Sequence, residues 1–331
     1  MKRLDHYWYE RGIIPFLLIL PLLPLSQIYC GVVGIRRLLY RLSILKHQKL
    51  PVPVIIVGNI NIGGTGKTPL VVYLCALFKR NGYQPGIISR GYKGKAQVWP
   101  QIVTSNSNPS LVGDECVLLA NRTHCPLVAG PDRVAAALRL LESKKYDIII
   151  SDDGLQHYAL DRDTEIVVYD AQRQFGNGYC LPAGPLRESI NRLKSVDIVV
   201  SNGDSQAADF NMHLHLFSII NLKKQEVRSG LDEFKNTNIH AVAGIGNPER
   251  FFTQLTNAGL VIMRHSFADH HDFIETDLNF ADGLPVLMTE KDAVKCRKFA
   301  KQNHWFVPVE ASISEAFDKQ ILEKIHSRKD P

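Results

Sequence analysis

The stretch Val57-Gly58-Asn59-Ile60-Asn61-Ile62-Gly63-Gly64-Thr65-Gly66-Lys67-Thr68-Pro69 decides how this chain is read. The apolar run Val52 to Val57, introduced by proline and closed by glycine, has the character of a strand buried on both faces of a parallel sheet. Behind the stretch, Leu70, Leu74 and Leu77 share one helical face, and Lys79, Arg80 and Gly82 mark where that helix stops. Strand, glycine-rich turn and helix in this order make a Walker A phosphate-binding loop. Glycines let backbone N–H groups approach phosphate oxygens, and the helix N-terminus adds the positive end of its dipole. The expected cradle is Asn61, Ile62, Gly63, Gly64, Thr65 and Gly66, followed by Lys67, Thr68 and Pro69. Lys67 would neutralise the β- and γ-phosphates, the Thr68 hydroxyl would ligate Mg²⁺, and Pro69 sits in the first turn, where its missing N–H costs little. Asn61 stands where the pattern G-x-x-x-x-G-K-T begins with glycine, so the loop is a variant one.

Downstream, the apolar run ending Ser151-Asp152-Asp153-Gly154-Leu155-Gln156 places two aspartates at the carboxyl end of a strand, where open α/β sheets hold their ligands. Asp152 and Asp153 are therefore candidates for holding Mg²⁺, with Gln156 and His157 in reach. A second acidic pair, Asp114-Glu115, follows Gly113; taken alone it reads equally as a helix N-terminus with favourable dipole charges. Phosphoryl transfer also needs a group to take the acceptor's proton, which a carboxylate with a histidine partner supplies. The cluster Asp269-His270-His271-Asp272 offers such histidines, though a surface loop, a metal site or a helix cap fits the spacing as well.

Two motifs are set aside. Gly244-Ile245-Gly246-Asn247-Pro248-Glu249 has glutamate where a dinucleotide loop needs its third glycine, which excludes a nicotinamide fingerprint. Thr289-Glu290-Lys291-Asp292 approaches a guanine-reading motif, but its lysine is displaced by one position, so ATP is preferred to GTP. No aromatic and basic stripe points to nucleic acid.

Between Gly12 and Ile35 no charge occurs, and a helix of that length at about 1.5 Å per residue just exceeds a hydrocarbon core of roughly 30 Å. Pro15, Pro21 and Pro24 interrupt it, so a kinked or half-inserted anchor is as compatible as a span. Arg36, Arg37, Arg41, Lys46 and Lys49 follow, a flank that stays cytoplasmic or binds anionic phospholipid. The 331 residues, 45% hydrophobic and 22% charged, leave room for two globular cores, and the formal charge of +6 favours anionic partners. Six scattered cysteines form no C-x-x-C pair and read as reduced thiols.

The expected fold is a P-loop NTPase-like α/β/α sandwich with a second, smaller α/β domain and an N-terminal membrane-anchoring helix. Residues 1–49 form the anchor and basic flank, 50–220 the P-loop kinase domain, and 221–331 the smaller domain, ending in an amphipathic helix near 314–326. The active cleft is expected between the two domains.

Taken together, these motifs with Ser89-Arg90-Gly91-Tyr92 and Ala183-Gly184-Pro185-Leu186-Arg187-Glu188 make a chain that resembles the tetraacyldisaccharide 4′-kinases over nearly its whole length. Asn61 looks like that family's own form of the loop. The resemblance implies that Mg-ATP phosphorylates the 4′-hydroxyl of an acylated glucosamine disaccharide 1-phosphate, giving lipid IVA at the cytoplasmic face of a bacterial inner membrane. It implies Asp114 as proton acceptor with His270 as its partner, although His271 is adjacent. It places Thr68, Glu115, Asp152, Asp153 and Gln156 around metal and phosphates, and Arg90, Arg187 and Glu188 near nucleotide or acceptor. No obligate protein partner is expected. The competing reading is a membrane-associated P-loop ATPase or switch that acts on a protein.

Overall fold

In the computed structural model, residues 4–10, 12–143, 145–216 and 218–326 are described. The outermost parts of the expected anchor and small domain, 1–3 and 327–331, lie outside them. The chain opens with α1 (Leu4–Tyr7), α2 (Ile13–Ile19) and, after a 3₁₀ turn at Leu20–Leu22, α3 (Leu23–Arg41). The turn falls at Pro21 and Pro24, where the missing amide donors make a straight helix costly. Ile13–Arg41 is long and apolar enough by composition to cross a membrane, and little of it is buried. It nonetheless lies against the rest of the molecule. Trp8 and Ile19 pack with Ala183, Ser26 Oγ donates to the Cys180 carbonyl at 2.7 Å, and Arg37 donates to Ser195 Oγ at 2.5 Å.

Eight strands follow: β1 (Val54–Gly58), β2 (Pro85–Ser89), β3 (Gln101–Val103), β4 (Leu127–Ala129), β5 (Ile148–Asp152), β6 (Thr164–Asp170), β7 (Ile198–Asn202) and β8 (Phe210–His215). A second set comprises β9 (Ile219–Asn221), β10 (Arg228–Ser229), β11 (Asn238–Ala243), β12 (Val261–Ser266), β13 (Val286–Thr289) and β14 (His304–Val307), and β15 (Glu310–Ser312) closes the series. The first sheet runs β15-β8-β7-β6-β1-β5-β2-β4-β3, parallel from β8 to β4 with antiparallel edges. The second runs β10-β9-β14-β13-β11-β12 around its own apolar core. Every central strand of the first sheet is buried along its whole length, as its uninterrupted β-branched runs require of a sheet covered on both faces.

Helices α4 (Lys67–Arg80), α5 (Pro109–Val112), α6 (Asp114–Thr123) and α7 (Arg133–Leu141) belong with the first sheet, and α8 (Pro248–Asn257) and α9 (Glu290–Cys296) with the second. The terminal α10 (Glu315–His326), expected with the second domain, corrects the boundary drawn at 221. With β15 it returns to the first sheet, where Phe317, Ile321 and Ile325 are fully buried and Tyr73 Oη donates to Asp318 at 2.7 Å. The second domain is thus an insertion between two neighbouring strands of the first, β8 and β15. Its amphipathic pattern says that α10 needs a cover, but not which sheet supplies it.

Register fixes what meets at the top of the first sheet. Val57 pairs with Asp152, Ile88 with Ser151, and Asp170 with Asn202, so the glycine loop, the aspartate pair and Arg90 all leave the sheet from one edge.

Candidate active site

Gly66 caps α4 in the left-handed region at φ 99°, and a Cβ there would lie 2.7 Å from Asn202 Nδ2. Only glycine fits this backbone and this approach. The loop is pinned from outside. Ile62 N donates to the Pro185 carbonyl at 2.8 Å and Arg187 N to the Ile60 carbonyl at 2.6 Å, so the Ala183–Glu188 motif runs as a rail beside the loop. Asn61, 2% exposed, donates through Nδ2 to the Gln174 carbonyl at 3.1 Å. Where the general pattern has glycine, this chain uses the amide as a tether.

Lys67 opens α4 with its ammonium 3.3 Å from Asp153 Oδ1, and Arg187 Nη1 donates to both Asp153 oxygens at 3.1 Å. Burial works against ionising Asp153, but Lys67 and Arg187 outweigh it and hold the carboxyl below the usual range. Asp152 has the opposite balance. It is buried, receives the Ser89 hydroxyl at 3.2 Å, and burial followed by the neighbouring Glu115 and Asp153 charges pushes its carboxyl upward. A carboxylate disfavoured by burial and by like charges is one that a hard divalent cation stabilises, and the donors here are all oxygen, so Thr68 and Asp152 fit Mg²⁺.

Two further expected positions are engaged by the protein itself. Gln156 donates from Nε2 to the Asn59 carbonyl at 3.0 Å and to Glu188 Oε1 at 2.8 Å, while its oxygen faces Arg187 Nη1 at 3.5 Å. Gln156 thus braces the root of the loop, joining the Asn59 carbonyl to Glu188. Glu188, 3% exposed, is held by Gln156, the Tyr158 hydroxyl and Arg192. Arg90, by contrast, stands exposed just beyond β2.

Asp114 begins α6 directly after Gly113, as the helix-terminus reading expects, and that reading leaves its carboxylate available for a second use. Its Oδ2 lies 2.9 Å from His270 Nδ1, a contact between the two domains. His270 adopts the left-handed region at φ 62° and donates its N–H to the Gly244 carbonyl at 3.1 Å. His271 turns away to Asp277 at 2.9 Å and packs on Phe267 and Phe273. Geometry therefore selects His270 from the adjacent pair.

The set-aside Thr289–Asp292 motif supplies a residue that sequence reasoning missed. Lys291 Nζ lies 2.9 Å from Glu115 Oε1 and 3.2 Å from His270 Nε2. Burial disfavours its charge, but Glu115, then Asp114 and Asp269, more than restore it and push the ammonium upward. An ammonium only donates, so Nε2 must accept and Nδ1 must carry the proton that His270 gives to Asp114. Burial opposes ionisation of Asp114 too, yet the His270 hydrogen bond and the Lys291 charge outweigh it and keep the carboxylate low. Glu115, expected among the metal ligands, is therefore shared with Lys291. Tyr92 packs its ring edge on His270 at 5.3 Å between centroids, and buried Arg133 donates to the Asp153 carbonyl at 3.0 Å. The signal for Tyr92 lay in Ser89–Tyr92; for Arg133 nothing in the sequence marked it out.

A parallel sheet that carries a glycine loop, its lysine, paired aspartates and a further carboxylate, the last met by a histidine from a second domain, defines a P-loop phosphotransferase. The model of the family described as tetraacyldisaccharide-1-P 4′-kinase matches residues 18–326. The chain belongs to that family. A tetraacyldisaccharide 4′-kinase of Nitrosococcus oceani is 52% identical over 316 residues, covering 96% of this chain and 92% of that one. One from Haemophilus influenzae is 48% identical, covering 97% and 95%. The solved structure of LpxK from Aquifex aeolicus in complex with ATP superposes with a TM-score of 0.80 at 31% identity, over 93% of this chain and 99% of that one.

Proposed function

We propose that this protein transfers the γ-phosphoryl group of ATP to the 4′-hydroxyl of a tetraacylated glucosamine disaccharide 1-phosphate, the lipid A precursor, releasing ADP. The observation that carries the reading is the Asp114–His270 pair, which joins the second domain to the half that holds the Lys67 loop. The loop amides and Lys67 hold the β- and γ-phosphates; Mg²⁺, when bound by Thr68 and Asp152, supplies charge neutralisation between them. Asp114 accepts the hydroxyl proton as the O4′–P bond forms and the γ-phosphorus parts from its bridging oxygen. His270, its Nδ1–H fixed by Lys291, orients Asp114. Arg187 keeps Asp153 ionised beside Lys67, and Arg90 stands ready for a phosphate or sugar oxygen.

The test is to incubate the protein with γ-labelled ATP, Mg²⁺ and the disaccharide 1-phosphate in phospholipid vesicles. Label is expected in a bis-phosphorylated lipid; ATP turnover that leaves the lipid unlabelled would instead support a nucleotide-driven switch.

The finer reading of place is the cytoplasmic face of the inner membrane, with residues 13–41 lying in the interface. Contacts from Trp8 before the helix to Arg37 near its end support a helix held along the body of the protein, with apolar side chains such as Leu25, Ile28 and Val32 outward. Each such side chain contributes about 1.5 kcal/mol or more on burial, so changing these three to aspartate is expected to weaken flotation with anionic vesicles at least about 100-fold. Unchanged flotation would remove the helix from membrane binding.

A further inference from the structure

The segment Gly244–Arg250, which begins with the six residues set aside as a dinucleotide loop, touches both halves of the site. At one end, the Gly244 carbonyl accepts the His270 N–H at 3.1 Å, and the Gly244 N–H is held by Asp292 Oδ2 at 2.8 Å. At the other, Arg250 on the first turn of α8 reaches the carboxyl ends of two strands of the first sheet. Its Nη1 donates to Asp170 Oδ2 at 2.8 Å and its Nη2 to Asn202 Oδ1 at 2.7 Å. Each of those partners is tied to an end of the phosphate loop. Asn202, 3% exposed, donates from Nδ2 to the Thr65 carbonyl at 3.1 Å. Asp170 accepts through Oδ1 from the amides of Gln172 and Arg173 at 2.9 Å, and its carbonyl accepts Gln174 N at 2.7 Å. Gln174 in turn carries the carbonyl that receives Asn61.

The chemistry of the guanidinium gives this chain a direction. An amide side chain fits its pocket equally well with oxygen and nitrogen exchanged, and its neighbours decide which way it faces. Arg250 has only donors, so it can donate only to the Asn202 oxygen, which turns the NH₂ towards the Thr65 carbonyl. Without Arg250, only the Thr65 carbonyl itself still selects the NH₂ end of Asn202, so the tether next to Gly66 is less firmly held.

We propose that Arg250 is a positioning residue for the nucleotide: it sets the orientation of Asn202, and through Asn202 and Asp170 the shape of the phosphate loop, so that the second domain grips loop and His270 with one segment. This rests on the reading of residues 61–69 as the nucleotide loop. It goes beyond that reading by assigning loop geometry to a residue of the other domain, one with no place in the reacting centre.

The test measures ADP binding to the full chain without lipid, alongside thermal unfolding. Arg250→Met keeps the stem and removes the donors; Asn202→Asp keeps an acceptor for Arg250 but turns a carboxylate oxygen on Thr65. Both are expected to weaken ADP binding about tenfold, the worth of roughly one buried hydrogen bond. The double variant is expected to bind no more weakly than Asn202→Asp, because the two act in series. Arg250→Lys, which cannot fork between Asp170 and Asn202, should recover less than half of the loss. At saturating ATP, kcat should fall less than KM rises. ADP binding unchanged in Arg250→Met or in Asn202→Asp overturns the proposal, as do additive effects in the double variant. Wild-type protein that fails to bind ADP would overturn the loop assignment itself, a different result from a wild type that binds and variants that do so equally well.

Discussion

Asp114→Ala is expected to lower kcat for lipid phosphorylation about 10²- to 10⁴-fold while the KM for ATP moves by no more than about twofold. Asp114 is 6% exposed, and its partners His270 and Lys291 come from the other domain, away from the loop that would hold the triphosphate. The expected loss therefore lies in the chemical step. Asp114 is a weak base, kept ionised by its neighbours. That suits a transfer in which bond breaking at phosphorus runs ahead of attack, because the hydroxyl then gives up its proton late and needs orientation more than basicity. Steady-state kinetics against ATP at fixed lipid checks this; an equal loss of ATP affinity and turnover would take Asp114 out of the proton transfer.

The second large effect is expected from Lys67→Ala, which should cut kcat/KM for ATP about 10²- to 10³-fold and show in nucleotide affinity as well. Lys67 is the ammonium at the start of α4, 13% exposed, and holds Asp153 together with Arg187. Removing it takes a full charge from the phosphates and leaves Arg187 alone to balance Asp153. The two variants thus separate along different axes: one spares nucleotide binding and the other does not. Lipid phosphorylation undiminished in Lys67→Ala would mean that the turn after β1 does not grip the triphosphate.

The centre of the first sheet was legible because β1 and β5 are built on short apolar runs that suit burial on both faces. The short edge strands β3, β9, β10 and β15 were not, since two or three residues carry no period. The return of α10 to the first sheet was invisible for a related reason: an apolar stripe specifies burial without specifying a partner. At the site, residues whose roles follow from type and spacing, such as Lys67, Asp152 and Asp153, could be listed in advance. The internal contacts of Gln156 and Glu188 could not be foreseen, because a polar side chain next to a motif reads alike whether or not it also reaches, as here, the Tyr158 hydroxyl and Arg192. Lys291 was passed over because its motif was compared with a guanine-reading template, when its use depends on the fold bringing residues 115, 270 and 291 together.

The insertion of the smaller domain between β8 and β15 has a consequence for synthesis. As the chain leaves the ribosome, the insert has all its strands before residue 310 is made, whereas the first sheet lacks an edge and the cover of α10 until residues 310–326 emerge. The apolar face that Phe317, Ile321 and Ile325 later seal stays open for that interval. Translation order therefore makes the nucleotide-binding half, begun first, the last to be completed.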